Sequence, residues 1–301
     1  MAVSSSAELV IDASLVRRLI ATQFPQWSDL EVRPIELGGW DNRTFRLGDR
    51  MTVRLPSAEH YVQQVEKEHR WLPRLAPHLP LPIPMPLAKG MPGEGFPWRW
   101  SVYRWLPGET LAVERVADIR DVAKDLTRFL RAMRQVDTAG GPLPGDHNFH
   151  RGGPPGFYDA QTRQALTLLE GEVDTTAARE VWEAALAAPF EEPPVWFHGD
   201  IAWGNLLVEH DRLSAVIDFG TSGIGDPACD LAIAWTFFHG ESRDVFRDGM
   251  ALDRGAWARG RGWTLWKALI VLAGMTGAPA SEKAKQRAVI EDVLMDHRRY
   301  G

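Results

Sequence analysis

The chain has 301 residues, 45% of them hydrophobic, and a formal net charge of −6. Such a chain is expected to be globular, and its acidic balance excludes the clustered Lys and Arg that nucleic-acid binding requires. The single cysteine, Cys229, excludes an internal disulfide and a multi-cysteine zinc site. Neither a signal peptide nor a membrane span stands out, so we expect a cytoplasmic protein that does not enter a membrane.

The first third of the chain predicts a small antiparallel sheet with helices. Apolar residues at helical spacing predict an amphipathic helix over 15–24, and β-rich runs between 30 and 55 predict three strands. A second helix is expected over 60–75, bent or ended by Pro73. The following segment contains seven prolines, which allow at most an edge strand before a strand at 98–105.

Beyond residue 107 the pattern is mostly helical. A strong apolar periodicity predicts a helix over 119–133, whereas the pieces VWF, NLLV and SAVI between 195 and 217 predict short strands. The fold class is therefore α+β with two lobes: a small antiparallel-sheet lobe with one main packed helix (1–106) and a larger, mostly helical lobe (107–301). A cleft between lobes is the default place for a site.

Three polar residues interrupt the apolar stretch WFHGDIAWGNLLVEHDRLSAVIDFG, namely Asp200, Asn205 and Asp218. Asp200 and Asn205 flank a glycine-containing loop, and Asp218 follows a short strand, so we expect the three side chains to converge. Their oxygen atoms are the hard ligands that Mg²⁺ prefers when it also holds phosphates. Asn205 and Asp218 are the candidate metal ligands, which leaves Asp200 to receive a proton in a phosphoryl transfer.

The same stretch resembles a known family. HGDIAWGN resembles the H-x-D-x-x-x-x-N catalytic loop of protein-kinase-like phosphotransferases, and IDFG resembles their D-F-G metal motif. The HGD form, with GDPACDLA after IDFG, is more similar to the aminoglycoside phosphotransferase family than to protein kinases. The resemblance implies Asp200 as catalytic base, Asn205 and Asp218 as Mg²⁺ ligands, His198 as a loop-holding residue, and ATP or GTP as phosphoryl donor.

The N-terminal lobe offers candidate nucleotide contacts. Gly38 and Gly39 lie between the first two predicted strands, where they would allow close backbone approach to phosphates, although an ordinary hairpin turn explains them equally well. The resemblance implies that Asn42 donates to a phosphate. The third strand carries Arg54 where the resemblance implies a lysine.

Arginine keeps the positive charge, so Arg54 could contact a phosphate together with a glutamate of the following helix. Helical phase favours Glu68 as that partner, with Glu66 as the rival. The backbone groups of Arg104, Trp105 and Leu106 could hydrogen-bond a purine, without distinguishing ATP from GTP.

Four residues near the catalytic motifs are structural or substrate candidates: His198, Trp203, Asp226 and Asp230. Asp226 precedes Pro227 and a helical run, which predicts a helix N-cap. Asp230 follows one turn later and could face substrate, and Trp203 could form a wall of the acceptor pocket. His198 is expected to hold the loop.

The acceptor is expected to be a small hydroxylated molecule, with a cationic aminoglycoside as the first candidate. A metabolic small-molecule kinase acting on a macrolide, choline, homoserine or a sugar is the alternative, because such enzymes share these motifs. Arg54 motivates a second alternative, a nucleotide-binding pseudokinase-like module. A third is a metal-dependent hydrolase that uses His147, His150 and Asp200.

Overall fold

The computed structural model describes residues 9–35 and 41–301. The chain divides into two compact units: Met1–Pro77 with Pro82–Pro107, and His78–Leu81 with Gly108–Gly301. In its described part, no helix is both long and apolar enough to cross a membrane.

The described residues of the first unit form a five-stranded antiparallel sheet and two α-helices. The strands follow the order β1-β2-β3-β5-β4, so the proline-rich segment supplies an edge strand, as predicted. Their bounds, with those of the helices, are α1 Ala13–Gln23, β1 Val32–Pro34, β2 Asn42–Leu47, β3 Met51–Pro56, α2 Val62–Leu75, β4 Pro86–Gly90 and β5 Trp100–Arg104.

The apolar face of α1 forms a core with the sheet. Asp12 caps this helix by accepting the N–H of Leu15 on Oδ1 at 2.8 Å. Buried residues of α1 and of the strands form one cluster that includes Leu15, Val16, Leu19, Ile20, Phe45, Val53, Trp100 and Val102. This burial of apolar surface is the main force that holds helix and sheet together.

Pro73 lies inside the second helix and does not end it. α2 spans Val62–Leu75, close to the predicted 60–75, so of the two expected effects of the proline the helix end is not seen. Proline costs the helix one backbone hydrogen bond, and packing of the buried face stabilises the helix against that loss. The helix presents Val65, Glu68 and Leu72 on its buried face.

The second unit is mainly helical, with short strands around the predicted catalytic motifs. Val195–Phe197 and Gly223–Gly225 pair, and Glu109–Thr110, Leu206–Glu209 and Arg212–Val216 form a second sheet. The elements are β6 Glu109–Thr110, α3 Ile119–Met133, α4 Asp159–Leu168, α5 Thr175–Leu186, β7 Val195–Phe197, β8 Leu206–Glu209, β9 Arg212–Val216, β10 Gly223–Gly225, α6 Ile233–Thr236, α7 Glu241–Met250, α8 Arg254–Leu272 and α9 Ala280–Tyr300.

Candidate active site

The loop after β7 brings Asp200 and Asn205 into direct contact. The amide nitrogen of Asn205 donates to the carbonyl oxygen of Asp200 at 2.9 Å and to its carboxylate Oδ2 at 3.0 Å. A short 3₁₀ turn, Trp203–Asn205, folds the chain back between the two residues. Asp200 remains exposed, so its carboxylate is accessible to a substrate.

Gly199 shapes this loop because no larger residue fits. Its φ is +88°, a conformation that L side chains rarely adopt. A Cβ atom here would lie 2.7 Å from the carbonyl oxygen of Thr221. The glycine of the HGD sequence is therefore sterically required, because this loop packs closely against Thr221 in the segment after Asp218.

His198 connects the two catalytic segments from a fully buried position. Its Nδ1 accepts the N–H of Asp200 at 3.2 Å, and its Nε2 lies 3.0 Å from the carbonyl oxygen of Ile217. A neutral imidazole with the proton on Nε2 satisfies both bonds. The ring thus fixes Asp200 relative to the residue that precedes Asp218.

Asp230 supports the same loop through hydrogen bonds to its backbone. Its carboxylate accepts the N–H of His198 at 2.9 Å and that of Gly199 at 2.6 Å. Burial raises the pKa of the Asp230 carboxyl, and the two backbone bonds act in the opposite direction. With only 2% of its surface exposed, Asp230 lies where it can support the loop and not where a substrate would reach it.

Asp226 caps a helix, as predicted, and also forms an ion pair. Its Oδ1 accepts the N–H of Ala228 at 3.1 Å, with Pro227 as the first helical residue. Arg259 of α8 donates to both carboxylate oxygens at 2.7 and 3.1 Å. This buried pair anchors the segment after the metal motif to α8.

Asp218 lies beside Asn205 at the end of the β8–β9 hairpin. The N–H of Ile217 donates to the carbonyl oxygen of Asn205 at 2.9 Å. Asp218 itself has a left-handed backbone with φ 66°, which is uncommon for a residue other than glycine and costs conformational energy.

The donor atoms fit a hard divalent cation. The amide nitrogen of Asn205 is used by Asp200, so its Oδ1 can face a metal. The carboxylate of Asp218 supplies a second oxygen ligand of the type that Mg²⁺ prefers.

Trp203 is exposed, whereas His147 and His150 contact groups of their own loop. Trp203 is 47% exposed within the catalytic loop. His147 lies 2.8 Å from the carbonyl oxygen of Leu143, and His150 pairs with Asp146 at 3.1 Å. Among the residues that the structure describes, no three His, Cys, Asp or Glu side chains form a metal-binding group, so the zinc hydrolase alternative has no support here.

In the first unit, Arg54 pairs with Glu68, as helical phase predicts. Arg54 Nη1 lies 3.5 Å from Glu68 Oε1, and the Tyr103 hydroxyl donates to Glu68 Oε2. The rival Glu66 instead pairs with Lys89 at 2.7 Å and with Arg99. Burial and the negative charge of Glu68 raise the pKa of Tyr103 well above its ordinary value, so the phenol stays a hydrogen-bond donor.

The other candidate nucleotide contacts are the glycine pair and Asn42. Gly38 and Gly39 fall in 36–40, outside the described residues. Asn42 begins β2 and is only 8% exposed.

The contact of the 104–106 backbone with a purine stays a prediction, and the structure shows which of its N–H groups are already bonded. The N–H of Arg104 donates to the carbonyl oxygen of Met85 at 2.9 Å, and the N–H of Trp105 donates to that of Arg50 at 2.8 Å. These bonds stabilise the end of the sheet. Leu106 is thus the member of the three whose N–H remains a candidate.

Sequence reasoning missed Tyr103 and Arg259 as supporting residues. Strand alternation could have found Tyr103, because Ser101 and Tyr103 share the face of β5 that meets α2: Ser101 contacts His69 at 3.1 Å. Arg259 carries no local signal, since its partner Asp226 lies far away in the sequence.

This fold, with an antiparallel-sheet unit, a mostly helical unit and the motif geometry described above, is that of the protein-kinase-like phosphotransferases. The chain belongs to the phosphotransferase enzyme family, whose model matches residues 31–263.

Comparison with individual proteins agrees with this membership. An aminoglycoside 3'-phosphotransferase of Salmonella typhimurium is 28% identical over 145 residues, which are 45% of this chain and 51% of that protein. The chain thus matches about half the length of this curated relative.

Among solved structures, the GDP complex of aminoglycoside 2'-phosphotransferase-IIIa superposes with a TM-score of 0.71 at 17% identity, covering 95% of this chain and 100% of that one. A macrolide 2'-phosphotransferase of Brachybacterium faecium gives 0.60 at 23% identity, covering 93% and 97%. At these identities the likeness establishes the fold alone.

Proposed function

We propose that this protein is a Mg²⁺-dependent phosphotransferase that moves the γ-phosphoryl group of ATP or GTP to a hydroxyl of a small molecule. The observation that carries the proposal is the double hydrogen bond of Asn205 to Asp200, with Asp218 next to it across the hairpin end. An exposed carboxylate beside two oxygen ligands has the parts that phosphoryl transfer requires.

Asp200 acts as the proton acceptor. Because Asn205 donates to Oδ2, the other oxygen, Oδ1, is the atom that we assign to the acceptor hydroxyl. As the hydroxyl oxygen forms its bond to the γ-phosphorus, the bond from phosphorus to the bridging oxygen breaks, and the hydroxyl proton passes to Asp200. The products are the phosphorylated acceptor and a nucleoside diphosphate.

Asn205 and Asp218 would hold Mg²⁺, whose charge offsets that of the phosphates. His198 and Asp230 keep the loop in place through the backbone of 198–200. Their role is to position Asp200, since both are buried.

On the nucleotide side, Arg54 would bind a phosphate while Glu68 and Tyr103 hold its guanidinium. Gly38, Gly39 and Asn42 remain candidate phosphate contacts, and backbone groups of Arg104, Trp105 and Leu106 the candidate base contacts. A cytoplasmic location is part of the proposal, because nucleoside triphosphates are supplied there.

Aminoglycosides are the first acceptor class to test, because the similar proteins include aminoglycoside phosphotransferases. A metabolic hydroxylated acceptor is the second class, because the motifs determine the reaction and not the acceptor. Exposed Trp203 is the candidate wall of this pocket.

The test is nucleotide consumption with Mg²⁺ across aminoglycosides, macrolides and hydroxylated metabolites, for wild type and Asp200→Asn. We expect at least one acceptor to stimulate consumption, and Asp200→Asn to lower that rate by ~10² to 10⁴-fold. Asp211→Asn is the matched control, because Asp211 is exposed in the β8–β9 turn and asparagine tolerates its φ of 60°. A wild-type rate in Asp200→Asn would refute the base assignment.

A further inference from the structure

The exposed side chains of α3 and α7 are separated by charge. Every exposed residue of α3 is basic, and every exposed residue of α7 is acidic. They are Arg120, Lys124, Arg128 and Arg131 on α3, and Glu241, Asp244 and Asp248 on α7. A solvated helix face usually carries both signs, because opposite charges three or four residues apart stabilise the helix. The separation between α3 and α7 therefore needs a cause other than the stability of each helix.

The two helices lie side by side and run in the same direction. At their starts Arg120 donates to Glu241 at 2.8 Å, and near their ends Arg131 donates to the carbonyl oxygen of Gly249 at 3.2 Å. They approach closely at Thr127, whose Cγ2 would lie 2.6 Å from a Cβ atom on Gly249. Together they form one surface, the α3–α7 face, with a basic row on one side and an acidic row on the other.

The α3–α7 face is not flat. Two adjoining recesses of about 520 and 560 Å³ lie along it and share Lys124 and Val245. The first is lined by the acidic row of α7, and the second by Lys124, Arg128 and Arg131 of the basic row. Long side chains of a partner can enter such recesses with their apolar stems against Val245, while their charged ends stay at the rim.

The acidic row of α7 is not neutralised by its own helix. Arg243 and Arg247 of α7 pair instead with aspartates of α9. Among residues 9–35 and 41–301, Asp244 and Asp248 form no ion pair. Two exposed carboxylates are therefore available to a cation from outside this copy of the chain.

The basic row of α3 makes local ion pairs that leave an excess of positive charge. Lys124 pairs with Asp121 of the same helix at 3.0 Å, whereas Arg128 and Arg212 share the single carboxylate of Asp125. Ion pairs between exposed side chains contribute little to stability, so a carboxylate from a partner can replace them or add to them. The basic row is thus able to bind an acidic surface.

We propose that the α3–α7 face binds the same face of a second copy of this chain. A two-fold axis parallel to the helices places α3 of each copy opposite α7 of the other, so each basic row meets an acidic row. A two-fold axis across the helices would instead place α3 on α3 and bring like charges together. Because the face complements itself in the first arrangement, a second copy fits it without a partner of another sequence. This pairing is independent of the proposed phosphoryl transfer.

Charge reversal on each helix tests the pairing. Lys124→Glu/Arg128→Glu, the α3 variant, places new carboxylates opposite the acidic row of the second copy. Asp244→Lys/Asp248→Lys, the α7 variant, places new cations opposite the basic row. Sedimentation velocity of the full chain measures self-association of wild type, of each variant and of their equimolar mixture, from about 1 to 300 μM protein. Thermal unfolding of each protein shows that it is folded.

Lys285→Glu/Arg298→Glu is the matched control. It changes the net charge by the same amount as the α3 variant, and both side chains are exposed cations of α9 that pair with carboxylates. We expect this control to associate as wild type does. If the α3 variant is unstable, Lys124→Glu alone takes its place in the mixture, because the Lys124 side chain is 58% exposed.

We expect wild type to form a dimer whose affinity falls as the salt concentration rises, because the contact is between charges. Each charge-reversed variant should dimerise about tenfold or more weakly than wild type. The mixture should recover the dimer, since each new charge then faces an opposite one. A wild type that stays monomeric over the whole range, association beyond a dimer, variants that associate as tightly as wild type, or a mixture without recovery would each overturn the proposal.

Discussion

Asn205 is bonded twice to Asp200, once at the carbonyl oxygen and once at the carboxylate. One amide group therefore orients the proposed base, and its remaining oxygen can bind a metal. Base and metal ligand are thus parts of one hydrogen-bonded unit, so a change at Asn205 should affect both functions.

Two substitutions separate these functions. Asn205→Ala removes the donor and the ligand oxygen, and we expect the Mg²⁺ concentration for half-maximal rate to rise about tenfold or more. Asn205→Asp keeps an oxygen ligand but removes the N–H that Asp200 Oδ2 accepts. Its Mg²⁺ requirement should stay near wild type, while kcat falls because Asp200 loses the hydrogen bond that orients it. Equal Mg²⁺ dependence in all three proteins would contradict the ligand assignment.

Gly199→Ala tests whether the loop requires glycine at this position. The alanine would need φ +88° and would place its Cβ 2.7 Å from the Thr221 carbonyl oxygen. Strain of this kind costs about 1 to 3 kcal/mol, so we expect a lower free energy of unfolding by that amount. Displacement of Asp200 should reduce kcat roughly a hundredfold.

Gly204→Ala is the control in the same loop, because its Cβ would meet nothing within 4 Å and its φ is not positive. Denaturant unfolding and kcat of the two variants give the comparison. Two variants of equal stability and rate would show that Gly199 is not sterically required.

The pairing of Arg54 with Glu68 predicts that substitutions of Glu68 and Glu66 have different kinetic effects. Glu68→Gln removes the negative charge beside Arg54, and we expect the nucleotide KM to rise on the order of tenfold, with acceptor KM unchanged. Glu66→Gln should leave both constants near wild type, since Glu66 is exposed and pairs with Lys89 and Arg99. Steady-state kinetics with each substrate varied decides the point, and a larger effect from Glu66→Gln would refute it.

Much of this fold could be predicted because its elements carry local signals. The apolar periodicity of 119–133 matches α3, and the cap at Asp226 follows from the proline after it. The convergence of Asp200 and Asn205 follows from their short separation around a glycine.

Contacts between residues distant in the chain could not be predicted. Asp230 supports the loop at 198–199, and Arg259 pairs with Asp226, through folding that no local pattern encodes. The exposure of Lys267 among the buried residues of α8 likewise follows only from the fold. Pro73 does not end α2, because packing of the helix's buried face, which depends on the fold, offsets the lost backbone hydrogen bond.

The central claim is that Asp200 accepts the proton as the γ-phosphoryl group moves to a hydroxyl. Transfer of radiolabelled γ-phosphate from ATP to an acceptor, followed with Mg²⁺ for wild type and Asp200→Asn, tests it most directly. We predict labelled acceptor with wild type and a rate lower by ~10² to 10⁴-fold with Asp200→Asn, at unchanged nucleotide affinity. Labelling of the acceptor at the wild-type rate by Asp200→Asn would contradict the claim.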